Sequence, residues 1–330
     1  MATFITAQSI GEDITINVNT SAAYWKYNHN GSDSSVFFSG IQTITVANAN
    51  GEFTIIPCLS DGTVSGDINF LQLNSNQLTS FDGTGLTSLT TLYLDNNQLT
   101  SFDGTDLTSL TTLYLGANQI TSFDGTDLTS LTYLNLVNNQ LTSFDGTGLT
   151  SLTELRLNGN KDSIGPLTSV SNLPTSLTYL NLDNNQLTSF DGTGLTSLTQ
   201  LLLQNNQLTS FNGTDLTSLI NLYLNYNQLT SFDGTGLTSL VQLMLVSNLL
   251  TSLDVSPMTS LQSLYLVDPY GTGGNPMTAV SNNSILSQLD DNGVENGAFF
   301  TINGRTSAGT ADYDSLVAKG WTLIGLDLTG

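Results

Sequence analysis

The sequence predicts a β-dominated α/β solenoid: a right-handed coil whose short parallel strands line one concave sheet. Three observations predict it. The pattern LxLxxN recurs with strand starts at Leu71, Leu92, Leu113, Leu134, Leu155, Leu180, Leu201, Leu222, Leu243 and Leu264. The interval is 21 residues everywhere except once, where a 25-residue repeat covers 155–179. The chain on either side of this array, 1–66 and 269–330, follows different patterns.

Residues 1–66 alternate apolar and polar in "DITINVN", "IQTITVA" and "EFTIIPCL", separated by Asn, Gly and Ser. That is the period of strands joined by turns, so a small all-β domain is expected there. A solenoid leaves the core of its first coil open, and such a domain would cap it or attach it to a larger assembly. Cys58 and His29 are the only cysteine and the only histidine. Cys58 lies in an apolar strand pattern and reads as a small buried hydrophobe, and His29 as a loop residue, rather than as a catalytic dyad.

Residues 67–268 are the array, about ten coils. In "LTTLYLDNNQL" the inward Leu92 and Leu94 flank the outward Tyr93, as a strand requires. Leu89, Leu99 and Leu107 close the same small core. The Asn at the end of each strand, in Asn97, Asn118, Asn139, Asn185, Asn206 and Asn227, is expected to satisfy backbone groups that the turn leaves unpaired. Phe102, Phe123, Phe144, Phe190, Phe211 and Phe232 form a second ladder. One coil of 21 residues cannot bury its own core, so the copies stack. Twenty-one residues also leave too little chain for a helix on the return, which should run through extended or 3₁₀ segments.

The pattern resembles the LxxLxLxxNxL signature of leucine-rich repeats, over about residues 67–268. The resemblance implies a solenoid whose activity is recognition rather than catalysis.

Within each coil, "FDGT" sets Asp103, Asp124 and Asp145 along one edge. A row of structural calcium sites would suit oxygen ligands there. The alternative is that each Asp caps its own Asp-Gly turn, and Asn212, at the same position without charge, favours that. The 25-residue repeat loses Phe-Asp-Gly and gains Arg156 and Lys161, and a bulging surface loop is expected near Pro166–Pro174.

From 269 the rhythm breaks: Pro269 stands at the Asn position. "NSILSQLDDNG" and "ADYDSLVAKG" read as helices ending at Gly, and "GAFFTING" and "WTLIGLDL" as the strands after them. These are expected to be helix-containing capping repeats. Asp290, Asp291 and Glu295 form an acidic cluster considered as a cation site.

The outward strand positions vary while their surroundings repeat. Tyr93, Tyr114, Asn135, Arg156, Asn181, Leu202, Tyr223, Met244 and Tyr265 form a central column with Tyr133 and Tyr179 beside it. Tyr93, Tyr114, Tyr133, Arg156, Tyr179, Tyr223, Met244 and Tyr265 are the candidate binding residues, because Tyr offers a rigid amphipathic contact at low entropic cost.

The chain has 330 residues, 27 acidic and 5 basic, and a net charge of -22. Such a surface repels phosphate backbones and anionic lipid, so neither nucleic acid nor membrane insertion is expected. One His and one Cys supply no nucleophile–base–orienter set, so no enzyme and no cofactor beyond structural calcium is expected. The Lys-poor, repeat-built composition resembles bacterial surface leucine-rich proteins and phage virion proteins. The start "MATFITAQSIGEDITINVN" carries no secretory signal pattern. The expectation is a phage tail-fibre, head-fibre or decoration protein on the virion surface. Its partner would be a host-surface protein or glycan, with other virion proteins docking on the N-terminal domain. The alternatives are an extracellular adhesin exported by a route outside the general secretory one, or an intracellular protein-binding scaffold.

Overall fold

The computed structural model describes residues 69–327 apart from 76, 85, 161–165, 268–273 and 302–303, and the backbone of six strands before them. The chain divides into two compact units, Met1–Pro174 and Thr175–Gly330.

In the first unit, strands β1 (Ala2–Thr6), β2 (Asp13–Asn19), β3 (Tyr24–His29), β4 (Ser32–Ser34), β5 (Gln42–Thr45) and β6 (Glu52–Cys58) pair antiparallel. The repeats then begin with β7 (Phe70–Gln72) and β8 (Leu78–Phe81). β2 pairs antiparallel with β7, and β1 with β8. Both strands of the first coil therefore have an edge partner, which leaves neither as a template for another chain. The register sets Cys58 opposite Tyr24, while His29 ends β3 five residues further on. At ~3.3 Å per residue the two backbone positions lie roughly 16 Å apart along the strand. His29 ends a strand rather than lying in a loop; its side chain and that of Cys58 lie outside the described residues.

Strands β9 (Thr91–Tyr93), β10 (Thr112–Tyr114) and β11 (Tyr133–Asn135) follow. β12 (Ser143–Asp145), β13 (Glu154–Arg156) and β14 (Ser169–Ser171) complete the unit. β7, β9, β10, β11 and β13 form a parallel sheet in unbroken register, Leu71 beside Leu92, Leu113, Leu134 and Leu155. In each strand the middle Leu is buried and its neighbours are half-exposed, the pattern expected of a sheet with one face in the core.

The second unit repeats the arrangement with β15 (Tyr179–Asn181), β16 (Gln200–Leu202), β17 (Asn221–Tyr223), β18 (Gln242–Met244) and β19 (Ser263–Tyr265). Helix α1 (Ala279–Asp291), β20 (Ala298–Phe300), helix α2 (Thr310–Ala318) and β21 (Thr322–Ile324) extend it. β20 and β21 continue the parallel sheet. Helix α1 starts at its N-cap Thr278, whose hydroxyl accepts from Ser281 N at 3.1 Å, and buries Ile285, Leu286 and Leu289.

Among the described residues, the return paths of the coils from β7 to β19 hold no α-helix. Successive turns carry it, such as Leu86 N to Gly83 O and Leu89 N to Leu86 O, both 3.0 Å.

Two expectations need correction. Pro166–Pro174 is not a bulging loop: β14 pairs parallel with β12, and Val170 sits opposite Phe144. Leu167 N donates to Asn160 O at 2.7 Å and Thr168 N to Thr142 O at 3.0 Å, so the coil closes normally past 161–165. The Asn ladder does not stop at Pro269. Asn275, fully buried, accepts from Leu250 N at 3.0 Å and donates to Leu245 O and Leu266 O.

Candidate functional site

The geometry of one coil decides which side chains face outward. The turn after each strand needs two consecutive residues with different roles. The first adopts left-handed φ, as Asn96 (56°), Asn138 (54°), Asn184 (54°) and Asn205 (55°) do, and Asn tolerates that region. The second points inward. Asn97 Nδ2 donates to Leu94 O of its own coil at 2.8 Å and to Leu73 O of the previous coil at 2.9 Å. Its Oδ1 accepts from Leu78 N at 2.9 Å. Asn118, Asn139, Asn206 and Asn227 make the same three-way bond, and Asn185 donates to Leu182 O at 2.9 Å.

Opposite the sheet, the Phe rings stack: Phe102 to Phe123 and Phe123 to Phe144 at 6.2 Å, Phe190 to Phe211 at 6.5 Å, and Phe211 to Phe232 at 5.5 Å. These rows lock each strand and free only its outward residues to vary.

On the first unit's outer face the rings pack on one another. Tyr93 and Tyr114 stack at 4.5 Å and 12°, and Tyr114 meets Tyr133 at 4.7 Å. Phe70 extends the row at 5.6 Å from Tyr93. Arg156 lies 5.9 Å from the Tyr133 ring centroid and is paired with Glu154 at 2.7 Å. Burial, then the hydrogen bond with Tyr114, pushes the Tyr133 phenol well above its ordinary range; burial also raises Tyr93. These hydroxyls stay protonated donors. Burial likewise raises the Asp95 carboxyl beside them.

On the second unit's face, Tyr223 Oη donates to Gln242 Oε1 at 2.8 Å. Asn225 Nδ2 approaches Met244 Sδ at 3.7 Å, and Tyr265 stacks on Phe300 at 4.6 Å and 7°. Tyr179 is half-buried on β15. Asn181 departs from its expected outward role. It is 8% exposed; its Oδ1 accepts from Asp183 N at 3.0 Å, a bond that the half-exposed Asn135 also makes, with Val137 N. Phe70 and Phe300 were missed at the sequence level. The alternation of "GAFFTING", Phe299 inward and Phe300 outward, carried the signal for the second.

The Asp edge is built by turn capping. Asp103, Asp124 and Asp145 each accept from the Thr amide two residues on, at 2.9, 3.0 and 2.9 Å, and Asn212 does the same for Thr214 at 2.9 Å. Hydrogen bonds from the Thr hydroxyls hold these carboxyls below the ordinary Asp range. Among the described residues no three His, Cys, Asp or Glu side chains gather to hold a metal ion. Shallow hollows do lie between neighbouring coils on this edge. One, about 130 Å³, is lined by Phe102, Asp103, Gly104, Thr105, Asp124 and Asp127. With each Oδ1 already engaged, a chelator is expected to leave the thermal unfolding midpoint unchanged, as differential scanning calorimetry with and without EDTA would show.

The acidic cluster near α1 has an internal cation. Lys319 Nζ pairs with Asp290 Oδ1 at 2.8 Å, and the Ser315 hydroxyl donates to the same oxygen at 2.6 Å. The cation that meets Asp290 is thus a side chain of the chain itself.

Known proteins share this coil. A sequence model described as leucine-rich repeats in two copies matches residues 68–107, 87–130 and 129–174, and one for a single leucine-rich repeat matches 176–198. Among solved structures, the functional domain of InlJ from Listeria monocytogenes is 29% identical, with a TM-score of 0.54, over 62% of this chain and 51% of that one. A leucine-rich-repeat protein of Leptospira interrogans is 28% identical, with a TM-score of 0.58, over 73% of this chain and 61% of that one. An internalin, inlF, from Listeria monocytogenes is 24% identical, with a TM-score of 0.55, over 79% and 82%, a likeness of fold alone. This chain thus spans about half the length of the InlJ domain. That domain includes a cysteine ladder, which has no counterpart here, since Cys58 is the only cysteine. No curated protein matches by sequence.

Proposed function

We propose that this leucine-rich-repeat solenoid is a non-enzymatic recognition protein that docks a protein partner through the outer face of its strands. The observation carrying this is the ring row Tyr93–Tyr114–Tyr133, set at outward positions of a coil that is otherwise copied. Its packed rings use their faces on one another and offer edges and the hydroxyl donor that the bonds among the three leave over. A sugar stacks on a free ring face, whereas backbone carbonyls and apolar side chains of a protein suit edges and donors. A protein partner is therefore favoured over a glycan.

The Thr/Ser/Asn-rich, Lys-poor surface with net charge -22 suits display outside a cell, on a bacterial surface or as a phage fibre or decoration component. Host-surface proteins are the partner class in either setting, and the N-terminal strands are the natural attachment to a carrier. Among the described residues no helix is long and apolar enough to cross a membrane.

The test replaces Tyr93, Tyr114 and Tyr133 together by Ser, with a triple Phe variant that keeps the stack. Buried interface aromatics contribute on the order of 2 kcal/mol each, so attachment to host cells should weaken by more than about tenfold in the Ser variant. The Phe variant should lose less. If the Ser variant keeps its circular dichroism spectrum and attaches like the parent, the strand face is not the docking surface.

A further inference from the structure

Asp183 and Gln204 occupy equivalent positions just after β15 and β16. Gln204 Nε2 donates to Asp183 Oδ2 at 3.4 Å, and Asn184 Nδ2 donates to the same oxygen at 2.9 Å. The remaining polar atom of each side chain, Asp183 Oδ1 and Gln204 Oε1, is buried without a hydrogen-bond partner. With the carboxylate ionised, both are acceptors and neither can serve the other. Two unpaired buried acceptors on adjoining side chains are unfavourable. A single proton resolves both. A carboxylic acid and a primary amide close a ring of two hydrogen bonds, amide N–H to one carboxyl oxygen and carboxyl O–H to the amide oxygen. The N–H half of that ring is already present.

We propose that Asp183 is protonated in the folded chain, its Oδ1–H donating to Gln204 Oε1, and that this pair is an acid-sensitive element of the second unit's strand face. The groups bonded to Asp183 from β15, β16 and the turns after them are Asn181, Asn184 and Gln204, none of them charged. The titratable side chains on the outer face of β15 and β17 are the phenols Tyr179 and Tyr223. No cation on these strands therefore favours the carboxylate. Burial pushes the carboxyl above the ordinary Asp range, against the opposing pull of the Asn184 and Asn181 hydrogen bonds. On ionisation the ring opens and the face gains a negative charge, so a basic partner surface binds more tightly as pH rises. That consequence rests on the recognition role proposed above; the titration does not.

The linkage has a definite sign. A folded-state pKa above the unfolded ~3.9 contributes stability that is fully present below the unfolded value and lost as pH rises through the folded one. The experiment follows the Asp183 carboxyl by ¹³C NMR in the whole chain, with thermal unfolding of wild type and Asp183→Asn across the same pH range. Asn carries a permanent N–H donor for Gln204 Oε1. The expected results are a midpoint above ~3.9 and a wild-type unfolding temperature that falls relative to Asp183→Asn as pH rises. Titration at or below the ordinary Asp value overturns the proposal, and the wild-type spectrum decides this even if the variant fails to fold. A difference from Asp183→Asn that does not change with pH also overturns it. Neither outcome bears on the tyrosine variants.

Discussion

Replacing Asn139 by Ala is expected to cost about 3 kcal/mol of stability, while Asp145→Asn costs far less. Asn139 is 2% exposed and accepts from Ile120 N at 3.0 Å while donating to Leu115 O at 3.0 Å and Leu136 O at 3.2 Å. The three partners do not suffer equally. Leu115 O also accepts from Asn118, and Leu136 O from Asn160, so each carbonyl keeps a donor. The Ile120 N–H loses its acceptor inside the core. An orphaned buried donor costs ~1–3 kcal/mol, and the lost bonds and the small void add roughly one more. Asp145 uses Oδ1 to accept from Thr147 N at 2.9 Å, and an amide oxygen does that equally well, as Asn212 does for Thr214. Urea unfolding of the two variants separates the ladders. Equal losses would mean that the Asp row has a role beyond capping.

Gly236→Ala is expected to destabilise by about 3 kcal/mol or more, and Gly194→Ala by about 1 kcal/mol. Both glycines hold the same place in their coils and both have left-handed φ, 87° and 77°. A side chain therefore costs ~1–2 kcal/mol of backbone strain at either position. They differ in what a Cβ would meet. At Gly194 the nearest atom is a methyl of Thr175 at 3.5 Å, an ordinary contact. At Gly236 it would overlap the backbone carbonyl of Thr214, which the neighbouring coil holds in place. Overpacking against backbone adds ~1–3 kcal/mol. Thermal unfolding of the two variants measures the difference, and equal shifts would mean the coil at Thr214 relaxes freely. Nothing local distinguishes the two glycines, since both sit in "DGTGLTSL".

The repeat was legible because its determinants recur every 21 residues and act locally. Leu92, Leu113 and Leu134 alternate with outward residues, and that alternation alone decides strand and face. The Asn positions were legible because an amide at the end of an apolar strand has few other uses. The outward Tyr row was legible as variation against a copied background. That its rings pack on one another rather than stand free was not: Tyr93 and Tyr114 stack in register, and Tyr133 joins them by a tilted, diagonal contact from the next strand. The burial of Asn181 was not legible either: Asn135, at the same place in its strand, makes the same bond to an amide two residues on and stays half-exposed.

The sequence by itself determined the coil: its length, its inward leucines, its Asn and Phe ladders, and the face left free to vary. Each of these follows from a period that one residue imposes on its near neighbours. The tertiary structure alone decided how departures from the period are absorbed. Asn275 takes the ladder place that Pro269 leaves, and Val170 the place opposite Phe144. Lys319, rather than an outside ion, meets Asp290, and Gln204 is brought to Asp183. Each partner lies 21 or more residues away along the chain, or behind an insertion. A periodic pattern shows that a position must be filled. Which residue fills it depends on where the stacked coils bring distant backbone groups, and the free energy of an unpaired buried group then makes the choice.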